Sequence, residues 1–152
     1  MRMEANMGLL SKAVKVVKDN KLEDAYKFDV AGFFAFQNDA RTLYELNPQY
    51  KNPKDKSKTY YKYKYFEKPC ELIAEPQNPN DKNAVAVFCG GIKVGYVPAA
   101  LCDTIKKCIK KNYQGTISIR AGVYREYDPD EDEFIAYKKE PYAFVELVRV
   151  SK

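Results

Sequence analysis

Short apolar runs, several with alternating polar positions, predict that most of this chain forms β-strands. The predicted strands cover residues 28–36, 60–66, 70–75, 84–88, 92–97, 115–124 and 134–150. Gly90 and Gly91 stand between two of these runs and indicate a hairpin turn. Because neighbouring runs are mostly joined by short connections, we expect an antiparallel sheet that closes, or nearly closes, into a small barrel.

The N-terminal part has the apolar spacing of a helix instead. Apolar residues and lysines alternate at helical intervals over residues 9–20, which predicts an amphipathic helix. We expect residues 1–26 to form a helical extension and residues 27–152 to form one barrel domain, which gives a mainly β, α+β fold.

A second helix is predicted to begin at Pro98, directly after the strand that contains Val-Gly-Tyr, and to end near Lys111. Proline suits the first turn of a helix, and lysines cluster at the C-terminal end, where cations are favoured. The i, i+4, i+8 spacing predicts three residues that face the barrel: Leu101, Ile105 and Ile109.

Composition fits one globular domain and argues against the common catalytic systems. The chain has 152 residues, 45% of them hydrophobic, which is enough for a real core. No apolar run has the length of a membrane helix and no signal peptide is recognised, so we expect a cytoplasmic protein. The four cysteines form no CxxC pair and histidine is absent. We therefore expect no enzyme activity, no cofactor and no metal site.

Charge is unevenly distributed along the chain. Residues 51–68 carry seven lysines and two acidic residues, and they fall partly in a long loop predicted over residues 37–59. Residues 126–133 carry six acidic residues and no basic one, which indicates a solvated loop. The acidic run resembles a calcium loop only loosely, because it lacks the glycine and spacing of an EF-hand. The basic run indicates either an anionic partner or a solvated loop.

Two polar patterns each allow a structural and a functional interpretation. The turn at residues 75–83 is rich in amide and carboxylate groups, which either hydrogen-bond the turn's own backbone or face a ligand. The tyrosines of residues 60–66 alternate with Lys62 and Lys64. These rings either pack in the core or form a stacking platform with the lysines near phosphates.

Three motifs together resemble the HIRAN domain family. They are "FDVAGFF" at residues 28–34, "LIAEPQNPNDKNAVAV" at residues 72–87 and "KVGYVP" at residues 93–98. The middle motif is the most specific, since it fixes seven or eight positions in order. The resemblance covers about residues 27–111.

The resemblance implies an OB-like β-barrel that binds nucleic acid without catalysis. Relatives bind single-stranded DNA and favour free 3′ ends, and the family is also fused to helicases, so helicase or nuclease partners and a role in DNA repair are implied. The implied pocket is walled by residues 33–36, by the turn at residues 78–81 and by Tyr96, with Asp81 placed to bond a terminal hydroxyl. Ala35 and Asn80 stand where relatives that grip strand ends carry stacking aromatics.

The candidate nucleic-acid-binding residues are Phe34, Phe36, Tyr61, Lys62, Tyr63, Lys64, Asn78, Asn80, Asp81, Lys82 and Tyr96. The alternative function is a protein-interaction or structural domain that keeps the barrel without the DNA pocket. A metal-dependent nuclease that uses Glu71, Glu75 and Asp81 is the weakest interpretation, because nothing in the sequence positions a nucleophile or base beside them.

Overall fold

The computed structural model describes residues 21–120 and 122–150, and this part of the chain contains nine strands and two helices. The strands are β1 (Ala25–Asp29), β2 (Tyr60–Tyr61), β3 (Phe66–Ala74), β4 (Val85–Cys89), β5 (Ile92–Tyr96), β6 (Tyr113–Arg120), β7 (Val123–Asp128), β8 (Glu133–Lys138) and β9 (Tyr142–Arg149). The helices are α1 (Phe33–Ala40) and α2 (Cys102–Ile109). The helix predicted at residues 9–20 lies outside the described residues.

A six-stranded antiparallel sheet forms the body of the fold, in the order β1-β9-β6-β3-β4-β5. The long strand β3 joins its two halves, since Phe66–Cys70 pair with β6 and Glu71–Ala74 pair with β4. The sheet then curls until its two ends meet, where Ala31, just after β1, forms an antiparallel bridge with Tyr96 of β5. The predicted mainly β, barrel-like fold is confirmed.

A smaller antiparallel sheet, in the order β2-β7-β8, stands beside the barrel. Hydrogen bonds of Asn47 and Arg125 connect this small sheet to the chain before β2. Asn47 donates its backbone N–H to the carbonyl of Lys62 and its side-chain amide to the carbonyl of Tyr61. Arg125 of β7 donates to the carbonyl of Tyr50 at 3.0 Å.

Two glycines shape the point where the barrel closes. Gly95 has a φ of 152°, and a Cβ there would lie 2.4 Å from Val30 Cγ1 and 2.7 Å from the Ala31 carbonyl oxygen. The bridge can form because this position carries no side chain. Gly32 has a φ of 72° and turns the chain from the closing bridge into α1.

The prediction of one strand over residues 28–36 was wrong in its second half. The strand ends at Asp29, and Phe33–Ala40 form helix α1. The aromatic run suggested a strand, but the left-handed Gly32 breaks it, and a helix then buries Phe33 and Ala40 on one face.

The core lies inside the curled sheet, where valine and isoleucine side chains from alternate strand positions meet α2. Leu101 and Ile105 are buried as predicted, but Ile109 is 41% exposed. A short 3-10 turn over Ala99–Leu101 precedes α2, which begins at Cys102 and already ends at Ile109, so the predicted helix over residues 98–111 is shorter at both ends. Cys108 takes the inward position instead, three residues after Ile105.

Other boundaries also differ from the predictions: the run 115–124 is divided between β6 and β7, and the run 134–150 is divided between β8 and β9. Residues 37–59 are not one long loop, because α1 reaches Ala40 and 3-10 turns form at Arg41–Leu43 and Pro48–Tyr50. The Tyr/Lys run is not one strand, since β2 ends at Tyr61. Half of the acidic run is β-structure, because β7 continues to Asp128 and β8 begins at Glu133, and residues 129–132 form the exposed turn between them.

Candidate nucleic-acid interface

An open groove of about 620 Å³ lies between α1, the chain after β2 and the connection from β8 to β9. We call it the basic groove. Its lining combines aromatic rings, cations and a few apolar side chains: Phe34, Gln37, Arg41, Tyr44, Lys62, Tyr63, Gly122, Val123, Lys138, Lys139, Glu140 and Pro141.

Helix α1 supplies one wall of the basic groove. Phe34, Gln37 and Arg41 follow one another at i, i+3 and i+7, so they share one helix face. That face is next to the buried side of the helix, which holds Phe33 and Ala40, and Phe34 lies at its outer edge, about 100° around the helix from Phe33. Phe34 is therefore 66% exposed, the highest exposure among the large exposed hydrophobic residues of the described chain.

The opposite wall carries a pair of tyrosines. Tyr44 and Tyr63 pack with their ring centroids 5.1 Å apart. The backbone of Lys62 is fixed by its N–H bond to the Val123 carbonyl at 2.9 Å. The Lys62 ammonium lies 5.5 Å from the centre of the Tyr63 ring. A cation and an aromatic ring are thus held side by side in the groove.

The basic groove is positively charged. Arg41, Lys62, Lys138 and Lys139 are its cations and Glu140 its carboxylate, so four positive charges less one negative charge leave +3. Clefts lined by one sign of charge concentrate counter-ions, which here favours anionic ligands such as a phosphate backbone.

The polar turn at residues 75–83 is built on its own side chains. Asn78 Oδ1 accepts from the backbone N–H groups of Asn80 and Asp81, at 2.9 and 3.1 Å. Asp81 Oδ1 in turn accepts from the N–H of Asn83 at 2.9 Å. Asn83 reaches out of the turn and donates to Asp103 of α2 at 3.0 Å. These bonds fix the turn against the barrel and match the structural interpretation of its composition.

The hydroxyl of Tyr96 ties this turn to the closing point of the barrel. It donates to Glu75 Oε1 at 2.9 Å and accepts from Lys93 Nζ at 3.1 Å and from Asn78 Nδ2 at 3.4 Å. Lys93 also forms an ion pair with Glu75 at 2.6 Å. We call Glu75, Asn78, Lys93 and Tyr96 the tyrosine network.

Protonation equilibria in the tyrosine network reflect the ion pair. The Lys93 ammonium holds the pKa of Glu75 below its usual value, and Asn78 and Tyr96 add hydrogen bonds in the same direction. The same contact with Glu75 raises the pKa of Lys93. Both groups therefore stay charged at neutral pH.

The structure separates the predicted site residues into groups. Phe34, Lys62 and Tyr63 come together in the basic groove. Asn78 and Tyr96 meet in the tyrosine network, where the Phe36 ring contacts Tyr96 at a centroid distance of 6.0 Å. The remaining members of the turn are exposed: Asn80, Asp81 and Lys82.

Two of the predicted residues are engaged elsewhere. Tyr61 packs on Tyr124 of β7 at 5.5 Å, with the Arg120 guanidinium 4.2 Å from its ring centre. Lys64 forms an ion pair with Glu45 at 3.5 Å. Neither residue lines the basic groove.

The sequence marked only three of the twelve lining residues, and the other nine include three cations and one aromatic ring: Arg41, Lys138, Lys139 and Tyr44. Arg41 and Tyr44 fell inside the predicted loop, where no periodicity marked them. Lys138 and Lys139 lie inside the run predicted as one strand over residues 134–150, where the adjacent lysines and the nearby Pro141 were the local signal. Only the fold brings these segments together.

The described residues contain no group of three or more His, Cys, Asp or Glu side chains placed to hold a metal ion. Burial raises the pKa of Cys70 to about 12 and that of Cys108 to about 11, so both are thiols at neutral pH. None of the helices in the described part of the chain is long and apolar enough to cross a membrane.

The HIRAN domain family model matches residues 40–138, which is more than half of the chain. The chain belongs to the HIRAN domain family. The match includes the polar turn and seven of the twelve groove residues, and it extends further toward the C-terminus than the three sequence motifs do. Family membership supports nucleic-acid binding, as the composition of the basic groove does.

A search of solved structures found the crystal structure of the HIRAN domain of human HLTF, with 15% identity and a TM-score of 0.31. The similarity covers 82% of this chain and 76% of that one. No curated protein matches the sequence.

Proposed function

We propose that this HIRAN domain is a non-catalytic module that binds single-stranded DNA in the basic groove. The observation that carries the proposal is the exposure of the Phe34 ring beside the groove's cations. Because the Phe34 ring is 66% exposed, it adds little hydrophobic stabilisation to the fold. The same exposure allows the ring to stack on an unpaired base.

The two parts of a single strand suit the two kinds of side chain in the groove. Bases stack on aromatic rings, which is worth about 1–3 kcal/mol per base and requires no particular sequence. Phosphates bind Arg41, Lys62, Lys138 and Lys139. A paired duplex hides its base faces, so we expect single strands to bind more tightly than duplexes of the same length.

The finer part of the proposal is recognition of a free 3′ end by the polar turn. Asp81 is exposed and commits Oδ1 to the Asn83 N–H, which orients the carboxylate on the surface of the turn. A carboxylate accepts a hydrogen bond from a terminal hydroxyl and repels a terminal phosphate. Free 3′ ends should therefore bind better than 3′-phosphorylated ones.

Fluorescence anisotropy with labelled oligonucleotides tests the groove. Phe34→Ala should weaken binding of a single strand by about 5- to 140-fold, the range that corresponds to 1–3 kcal/mol. The matched control is Tyr65→Ala, since Tyr65 is 44% exposed but does not line the groove. Equal affinities of the Phe34 variant and the wild type would reject the groove as the binding site.

The same assay with two 3′ termini tests the end-recognition part. Asp81→Ala should lower the affinity for a free 3′ end by about tenfold or more, because a hydrogen bond to a charged group is lost. It should leave a 3′-phosphorylated strand nearly unaffected. Equal losses for both strands, together with a lower melting temperature, would make Asp81 a turn residue and nothing more.

A further inference from the structure

Strand β8 is an open edge of the small sheet. In the order β2-β7-β8 it pairs on one side with β7, and no strand of the described residues covers its other side. The outer strands of the six-stranded sheet, β1 and β5, have five residues each, and the single Ala31–Tyr96 bridge joins their ends. The opposite edge of the small sheet, β2, has two residues. Within residues 21–120 and 122–150, β8 with its six residues is thus the longest outer strand of the two sheets.

The backbone pairing shows which groups of β8 face outward. Lys139 donates its N–H to the carbonyl of Gly122, and Tyr137 pairs with Tyr124 in the same register. Antiparallel pairing alternates, so the odd-numbered residues of β8 direct their N–H and C=O groups toward β7. The N–H and C=O groups of Phe134, Ala136 and Lys138 therefore point to the open side.

Edges of this kind are usually blunted by charges or prolines. In β8 the charges stand at the two ends, Glu133 and Lys138, and the four residues between them are uncharged. Tyr137 is 40% exposed and ends a ladder of stacked rings that runs across the sheet from Tyr61 through Tyr124. The ladder stops at an edge that carries free backbone donors and acceptors.

We propose that β8 pairs antiparallel with β8 of a second copy of this chain. A two-fold axis perpendicular to the sheet keeps the two copies' equivalent faces on the same side, so residues of the same parity must stand opposite each other. In one such register Ala136 stands opposite Ala136 of the second copy, and each donates its outward N–H to the outward C=O of the other. It also places Phe134 opposite Lys138 of the other copy.

The side chains of this register complement one another. Ile135 stands opposite Tyr137 of the second copy, and an aromatic ring beside a β-branched side chain is a favourable cross-strand pair. Glu133 stands opposite Lys139 of the second copy, which pairs opposite charges twice because of the symmetry. The last ring of each tyrosine ladder thus packs on Ile135 of the other copy, and the two small sheets form one six-stranded sheet.

Proline at Ala136 tests the pairing without disturbing the fold. The Ala136 N–H points away from β7, so a proline ring there removes an outward donor and leaves the β7 bonds in place. Sedimentation velocity over a range of concentrations should show wild-type dimers and shift Ala136→Pro to at least tenfold higher concentration for half-association. Ala136→Val, which keeps the N–H, should dimerise like the wild type.

Charge reversal and cross-linking test the register. Glu133→Lys should weaken the dimer, and adding Lys139→Glu should restore it. Cysteine at Ala136 should form a symmetric disulfide, because Cα atoms of a hydrogen-bonded pair lie about 5.5 Å apart. A wild-type chain that stays monomeric, a dimer unaffected by Ala136→Pro, or cross-linking through Ile135→Cys but not Ala136→Cys would overturn the proposal.

Discussion

Removing the hydroxyl of Tyr96 should destabilise the fold measurably, although the residue lies at the surface end of a strand. Tyr96→Phe deletes the shared partner of Glu75, Asn78 and Lys93 and leaves the ring contact with Phe36 in place. The ion pair between Lys93 and Glu75 also remains. The perturbation is therefore confined to the hydrogen bonds of one oxygen atom.

The size of the effect follows from the partners and their exposure. Hydrogen bonds to charged groups contribute about 1.5–3 kcal/mol when buried. The side chains of Lys93 and Glu75 are 29% and 21% exposed, so water replaces part of the lost interaction. We expect a loss of about 1–2 kcal/mol in the free energy of unfolding, which for a chain of this size lowers the melting temperature by about 2–8 °C.

Urea unfolding followed by circular dichroism measures this loss, with the thermal midpoint as a second readout. Tyr142→Phe is the matched control, since Tyr142 is an exposed tyrosine of β9. An unchanged free energy of unfolding in Tyr96→Phe would refute the idea that the tyrosine network holds the polar turn to the barrel.

Three further predictions concern the barrel, the ion pair and the cysteines. Gly95→Ala should lower the free energy of unfolding by about 2 kcal/mol or more in urea titrations, because its Cβ overlaps Val30 and the Ala31 carbonyl; wild-type stability would contradict the closing role of Gly95. The pKa of Glu75 is lower in the folded chain than in the unfolded chain. The stabilisation of the fold by its ionised carboxylate is therefore complete above the unfolded pKa of about 4.3 and is lost as the pH falls through the lower folded pKa. The stability difference between wild type and Glu75→Gln should thus shrink as the pH falls from about 6 to about 3, whereas a constant difference would exclude the ion pair as its cause. Burial raises the pKa of Cys70 to about 12 and that of Cys108 to about 11. Iodoacetamide at neutral pH should therefore label neither thiol in the folded chain and both in urea, which mass spectrometry can check. Rapid labelling of the native chain would show that these thiols are accessible and reactive.

Much of the barrel could be predicted from the sequence because apolar and polar residues alternate along several of its strands. The hairpin at Gly90–Gly91 and the hydrogen-bonding role of Asn78 also followed from local chemistry. Helix α1 could not be predicted in this way, because its aromatic residues favour strands when taken alone. Its position depends on the bridge between Ala31 and Tyr96, which joins residues far apart in the chain.

The candidate site was predicted only in part, for the same physical reason. Phe34, Lys62 and Tyr63 were marked by residue type, but the sequence did not indicate that they share one groove. Lys62 and Lys64 looked equivalent in the alternating run. The fold distinguishes the two lysines, because the bridge between Leu46 and Tyr63 interrupts the strand between them. Lys64 forms an ion pair with Glu45, whereas Lys62 lines the groove.

The salt dependence of single-strand binding in Lys62→Ala and Lys64→Ala is the most direct test of the basic groove. Each phosphate neutralised contributes about −0.7 to the slope of log K against log salt for single strands. If single strands bind in the basic groove, Lys62→Ala lowers the affinity and flattens the slope by about 0.7, whereas Lys64→Ala keeps the wild-type slope. Equal slopes in Lys62→Ala and the wild type, or an equal flattening in both variants, would contradict binding in the basic groove.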